Sequence, residues 1–177
     1  MTCIVGVIEG SAIFMGGDSA GVNGLWLDVR RDEKVFINSG FLFGFTSSFR
    51  MGQVLRYGFT PPKRYPDKDL MAYMVTDFVD AVRTSLKAAG FAHKENDVES
   101  AGQFLIGHAG RLFMIDNDYQ VAESRHPYQA VGCGAEIASG AMYASQGKSA
   151  VERINLALSA AERHSAGVRG PFTVLSI

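Results

Sequence analysis

The chain has 177 residues, a formal net charge of -1 and a charged fraction of 20%. That length suits a single domain, residues 1–177, with a sizeable core, and nothing in the near-neutral charge points to a surface for nucleic acid or an anionic membrane. No apolar run approaches the roughly 18 residues of a membrane span, and the two cysteines, Cys3 and Cys133, make neither a disulfide framework nor a metal-ligand spacing. These features predict a cytoplasmic protein with no metal, no cofactor and no secretory signal.

Residues 3–8 (CIVGVI) are apolar almost throughout, which predicts a strand covered on both faces. Glu9-Gly10-Ser11 turns the chain, and Ala12 to Met15 returns as a second strand. Gly16-Gly17 then either leaves room for a substrate or marks a bulge at the strand end. Residues 19–33, with the run Arg30-Arg31-Asp32-Glu33, read as a solvated connection. Lys34 opens a strand through Val35-Phe36-Ile37, and Gly40 to Phe45 is another apolar strand. Thr46-Ser47-Ser48 ends it with residues suited to a helix cap, and a helix starts over Phe49 to Tyr57.

After a proline-bearing loop, Asp67 is expected to cap a long helix whose stripe is Leu70, Met71, Met74, Val75, Phe78, Val79, Val82 and Leu86. His93 to Glu99 reads as a polar connector, with His93 in solvent. Gln103 to Ile106 and Arg111 to Ile115 form a hairpin around His108-Ala109-Gly110, and Tyr119 to Glu123 and Tyr128 to Val131 are further strands. Ala135 to Ser145 is a helix rich in small residues. Ser149 and Glu152 form a capping box for a helix to about His164, with Val151, Ile154, Leu158 and Ala161 inward. Residues 171–177 close as a strand. Strands and helices are segregated, so the pattern predicts an α+β fold with packed antiparallel sheets.

The chemistry concentrates at the start. Removal of Met1 alone would leave Thr2 at the N-terminus, with a hydroxyl nucleophile and an α-amino base on one residue. Such an amine has an unperturbed pKa of about 7.7–8.0 and can take a proton at neutral pH. Asp18 and Lys34 follow at intervals of 16 and 32 residues. A buried lysine beside the amine would favour its neutral, basic form, because like charges disfavour protonation, and Asp18 would hold that lysine charged.

Thr2, Asp18 and Lys34, set in the strands TCIVGV, GSAIFMGGDS and DEKVF, resemble the β-type subunits of the proteasome family, including the bacterial peptidase HslV. In that family a mature N-terminal threonine is followed by an aspartate and a lysine at the same intervals. The resemblance covers nearly the whole chain. It implies a four-layer αββα sandwich, two antiparallel sheets between helix layers, which is the N-terminal nucleophile (Ntn) hydrolase fold. It also implies that Ser47, where the family has glycine, supplies a backbone N–H to the oxyanion. Gly132-Cys133-Gly134 matches a G-S-G element whose serine lies near the nucleophile's amine, and Glu162 with Ser165 matches a D-x-x-S element that orients the nucleophile. Gly21, Asp32, Phe36 and Gly44 fall where the family lines its substrate pocket, and Asp32 there would favour a basic side chain.

The activity implied is a threonine endopeptidase of a self-compartmentalising ring. Six or seven copies would stack with their sites inside and admit unfolded polypeptide, with an ATPase unfoldase as candidate partner. Two other readings stand beside it. A ring-forming scaffold that retains Met1 would lack the basic amine. An amidase using Cys3 after further trimming would place its nucleophile one residue out of register, on the opposite sheet face.

Overall fold

The computed structural model describes residues 1–91, 93–95 and 97–177. Side-chain alternation along the first strand, β1 (Cys3–Glu9), sorts the layers. Cys3, Val5 and Val7 face a helical layer, whereas Ile4 faces a second sheet. Strand β1 pairs antiparallel with β2 (Ala12–Gly17), registering Ile4 on Gly17. A hairpin of β3 (Ala20–Asn23) and β4 (Trp26–Val29) follows, then β5 (Val35–Asn38) and β6 (Phe41–Phe45). Helix α1 spans Phe49–Tyr57. One long helical segment then runs through α2 (Leu70–Tyr73), a π-helical turn at Met74–Phe78, and α3 (Val79–Ala88).

The second half supplies β7 (His93–Glu95), β8 (Val98–Ser100), β9 (Phe104–His108), β10 (Arg111–Ile115), β11 (Val121–Glu123) and β12 (Tyr128–Gly132). Helices α4 (Ala135–Ala144) and α5 (Ala150–His164) precede the last strand, β13 (Thr173–Ser176). One sheet has the order β12-β1-β2-β13 and the other β11-β10-β9-β6-β5, with every recorded pairing antiparallel. Ile4, Ile13, Met15, Val35, Leu42, Leu105, Leu112 and Val131 fill the space between the sheets. Helices α4 and α5 cover the first sheet through Ala138, Met142, Ile154 and Leu158; α1 and α3 cover the second through Met51, Leu55, Val82 and Leu86. The result is the expected α+β, four-layer αββα sandwich.

The sheets approach closely because glycine stands where a side chain would collide. A Cβ on Gly44 would lie 2.4 Å from Ile4 Cγ2 and 2.6 Å from Met15 Sδ. Gly16 and Gly17 serve packing in the same way. The added carbon of Gly16 would meet Ile154 of α5, and that of Gly17 would meet Ile4 of the neighbouring strand and Val35 of the facing sheet, so neither opens space for a substrate.

Several expectations are corrected. Residues 20–29 are a hairpin rather than a plain connection. The helix after the proline loop is capped by Asp69, whose Oδ2 accepts from Ala72 N–H at 2.9 Å, not by Asp67. The extra residue in the π turn rotates Val75 out of the stripe, and Val75 and Val151 are both exposed. The polar connector contains the hairpin β7–β8, with His93 exposed as expected; Asn96 lies outside the described residues. The capping box on α5 is present in both directions, Ser149 side chain to Glu152 N–H and Glu152 carboxylate to Ser149 N–H.

Candidate active site

Asp18 leaves the end of β2 and turns into the molecule beneath the start of β1. Its Oδ1 accepts from Cys3 N–H at 2.9 Å and from Lys34 Nζ at 2.9 Å. Its Oδ2 accepts from Ala20 N–H at 2.9 Å and Arg169 N–H at 3.2 Å. The carboxylate therefore has four donors, which is what a charge taken out of water requires. Lys34 stands just before β5, in the facing sheet, and reaches across to Asp18; both side chains are wholly buried. Burial pushes the Lys34 ammonium below the ordinary lysine range, and the Asp18 charge and hydrogen bond oppose that shift. Asp18 is the one acceptor of Lys34 Nζ among the described residues.

Thr2 is buried directly before β1. Its N–H donates to Cys133 Sγ at 3.3 Å, and Cys133 Sγ returns a contact to the Thr2 carbonyl at 3.4 Å. Cys133 Sγ is also 3.5 Å from Ser165 Oγ. Gly132 allows this approach: its φ is 97°, and a Cβ there would sit 2.3 Å from the Thr2 carbonyl oxygen. With Met1 attached, the Thr2 hydroxyl donates to the Met1 carbonyl. Glu162 does not touch Thr2. Its Oε1 accepts from Gly170 N–H at 2.9 Å, bracing the loop whose Arg169 N–H reaches Asp18.

A cleft of about 320 Å³ opens beside Thr2. Its floor and walls include Gly21, Trp26, Asp28, Arg30, Ser47 and Phe49. Ser47 adopts φ 65°, the left-handed region where glycine is the least strained residue. Helix capping falls to the next residue, Ser48, whose side chain accepts from Arg50 N–H. Ser47 N–H has no acceptor among the described residues and is left beside the cleft.

Of the residues expected in a substrate pocket, only Gly21 lines this cleft. Phe36 is instead packed under α1 and stacks on Phe43 at 5.1 Å, and Gly44 lies in the tight layer between the sheets. Asp32 is turned away in a bidentate pair with Arg30, both contacts 2.7 Å, and that guanidinium holds its carboxyl below the usual range. The acid at the cleft is Asp28, and Arg30 lies flat on Phe49 at 3.8 Å.

Sequence reasoning missed Gln103. Its carbonyl accepts from Thr46 N–H and hydroxyl, its N–H donates to Ser47 Oγ, and its side-chain oxygen accepts from Gly132 N–H. It thereby ties the Ser47 turn to the Gly132 approach. No local signal marked it, because its partners lie 29 to 57 residues away. His108 is structural: it stacks on Phe41 at 3.7 Å, and its Nδ1 lies 3.1 Å from the Gly40 carbonyl. Cys3 lies on the helix side of β1, and burial pushes its thiol up to about 12, so it is a poor nucleophile. No group of metal-ligating side chains occurs among the described residues.

No protein-family model and no curated protein sequence matches the chain. Solved structures do. BPH from Thiobacillus denitrificans, in a complex with epoxomicin, superposes with a TM-score of 0.83 at 21% identity, over 99% of this chain and 98% of that one. HslV from Trypanosoma brucei gives 0.71 at 18% identity, over 99% and 98%. A Gly-1 mutant of Anbu from Hyphomicrobium sp. strain MC1 gives 0.71 at 14% identity, over 100% of this chain and 82% of that one. The fold shared with these structures is the Ntn-hydrolase fold. Within that class the fold is the HslV-like, proteasome β-type form. No helix is long and apolar enough to cross a membrane among the described residues.

Proposed function

We propose that residues 1–177 act as a threonine endopeptidase once Met1 is removed. The observation that carries this reading is the wholly buried Asp18–Lys34 pair set beneath the start of β1, with Thr2 at the head of an open cleft. Thr2 Oγ attacks the peptide carbonyl. The freed Thr2 amine takes the hydroxyl proton and delivers it to the leaving amine. The same amine then activates the water that hydrolyses the acyl-enzyme. Lys34 keeps the amine basic through its charge, and its remaining protons, without acceptors among the described residues, face no competing carboxylate. Asp18 fixes Lys34. Ser47 N–H serves the oxyanion, a role in which one donor is commonly worth several kcal/mol. Cys133 holds the amine, Ser165 backs Cys133, and Glu162 braces the loop whose Arg169 N–H reaches Asp18.

The substrate proposed is unfolded polypeptide, and the assembly a stacked homo-oligomeric ring of six or seven copies in the cytoplasm, with an ATPase unfoldase as candidate partner. The fold shared with HslV and BPH supports a ring peptidase.

The alternative reading is a scaffold that keeps Met1. With Met1 in place the Thr2 nitrogen is an amide without a basic lone pair, and the Thr2 hydroxyl is engaged by the Met1 carbonyl. Intact mass of untagged protein from its native host separates the two. Loss of one methionine, with peptide hydrolysis that Thr2→Ala abolishes, supports the peptidase. A retained Met1, or a fully active Thr2→Ala variant, overturns it.

A further inference from the structure

At the end of β12 remote from Gly132, a second cleft of about 350 Å³ lies between the β11–β12 loop and the α4–α5 connection. It is lined by His126, Pro127, Tyr128, Gln146, Gly147 and Arg153. Arg153 is the unusual member. It is only 8% exposed, yet no carboxylate oxygen lies within 4.0 Å of its nitrogens among the described residues. Its Nη2 donates to the Met142 carbonyl at 2.9 Å, which occupies one edge of the guanidinium. Its Nε is buried with no partner, and its Nη1 makes no hydrogen bond among the described residues. The flat of the group lies 5.4 Å from the centre of the Tyr128 ring. A cation in this position has lost water without gaining a counter-charge, an arrangement that costs several kcal/mol unless something supplies one.

We infer that this cleft binds an oxyanion, a phosphate or carboxylate group, with Arg153 as its charged anchor. The neighbours have the matching chemistry. The Gln146 amide offers two N–H donors. The His126 ring offers at least one N–H in any protonation state, and its ring is braced on Tyr128 at 5.5 Å. Glu9, which meets α5 three residues before Arg153, is committed there: its Oε1 accepts from Ala150 N–H at 2.8 Å. Glu152 is likewise held by Ser149. Guanidinium suits planar or tetrahedral oxyanions because its N–H groups diverge at fixed angles.

Calorimetric titration of the full chain with inorganic phosphate, and separately with acetate, at constant ionic strength made up with sodium chloride, tests the site. Saturable binding of about one anion per chain is expected, lost in Arg153→Met. Gln146→Ala and His126→Ala, on the exposed side of the cleft, are each expected to weaken binding about tenfold, the loss of one hydrogen bond to a charged group. Phosphate alone or both anions binding separates the two sources. No saturable binding of either anion, or unchanged affinity in Arg153→Met, would overturn the inference. If Arg153→Met does not fold, wild-type affinity in both rim variants would overturn it instead.

Discussion

Lys34 and Arg153 are both cations removed from water, and their surroundings differ at every point. Lys34 has a carboxylate at 2.9 Å, and that carboxylate is itself held by three backbone N–H groups. Arg153 has one carbonyl and an aromatic face. The first arrangement carries its own counter-charge within the protein, and the pair acts as a unit. The second is open: the charge is placed first and its complement is left to come from outside. A buried charge with a counter-charge beside it points to a built internal device, whereas one without points to a missing ligand.

The contrast can be broken most forcefully at Asp18. Asp18→Ala leaves Lys34 charged and alone and removes the acceptor of Cys3, Ala20 and Arg169 N–H. We expect a loss of about 3–5 kcal/mol in a chemical denaturation curve. A loss below about 1 kcal/mol would mean that the pair is not coupled as described.

The two thiols extend the comparison. Cys133 is exposed and Cys3 is buried with its thiol pushed up to about 12. A disulfide-exchange reagent should label one thiol in the native protein and both after unfolding. The sign of the pH effect follows from the same shift. The folded value lies above the ordinary 9.0, so the stabilisation from holding Cys3 neutral is complete below pH 9. It is lost as pH rises from 9 towards about 12, because the unfolded chain then sheds the proton first. Cys3→Ala should flatten that part of the stability–pH curve, and an unchanged slope would remove Cys3 as its cause.

Smaller effects test the surface counterpart. Arg30 and Asp32 make a bidentate pair but are 34% and 41% exposed. Asp32→Ala should cost about 1 kcal/mol or less, and less still in high salt. A salt-independent loss above about 2 kcal/mol would show that the pair is shielded. Smallest of all should be Arg153→Met in a chloride buffer free of oxyanions. Removing an unpaired buried cation is offset by losing one hydrogen bond, so the change should stay within about 1 kcal/mol. A loss of about 3 kcal/mol would mean that Arg153 already has a counter-charge, and the two regions would not differ after all.

Much of the molecule is legible locally. Apolar runs gave β1, β2, β6 and β9, and the S-x-x-E box marked the start of α5. The intervals of Thr2, Asp18 and Lys34 could be read along the chain because each stands at the end of a strand whose pattern is itself clear. Arg30 shows where such reading fails. Its neighbours suggested a solvated charge run, but the β3–β4 hairpin carries Asp28 to the cleft, and the bidentate pair turns Asp32 away from it.

The sequence by itself determined the strand and helix types, the segregation of the two and the order in which chemical groups enter the chain, because these follow from short-range periodicity and capping. Only the tertiary structure decided which groups meet. Lys34 reaches Asp18 from the opposite sheet, Cys133 meets Thr2 across 131 residues, and Gln103 ties Ser47 to Gly132. It also decided that Phe36 and Gly44 pack in the core and that Arg153 has no acid beside it among the described residues. Contacts of that kind depend on how closely two sheets and two helix layers can approach, which is set by steric fit across the whole sandwich and leaves no mark at any one position.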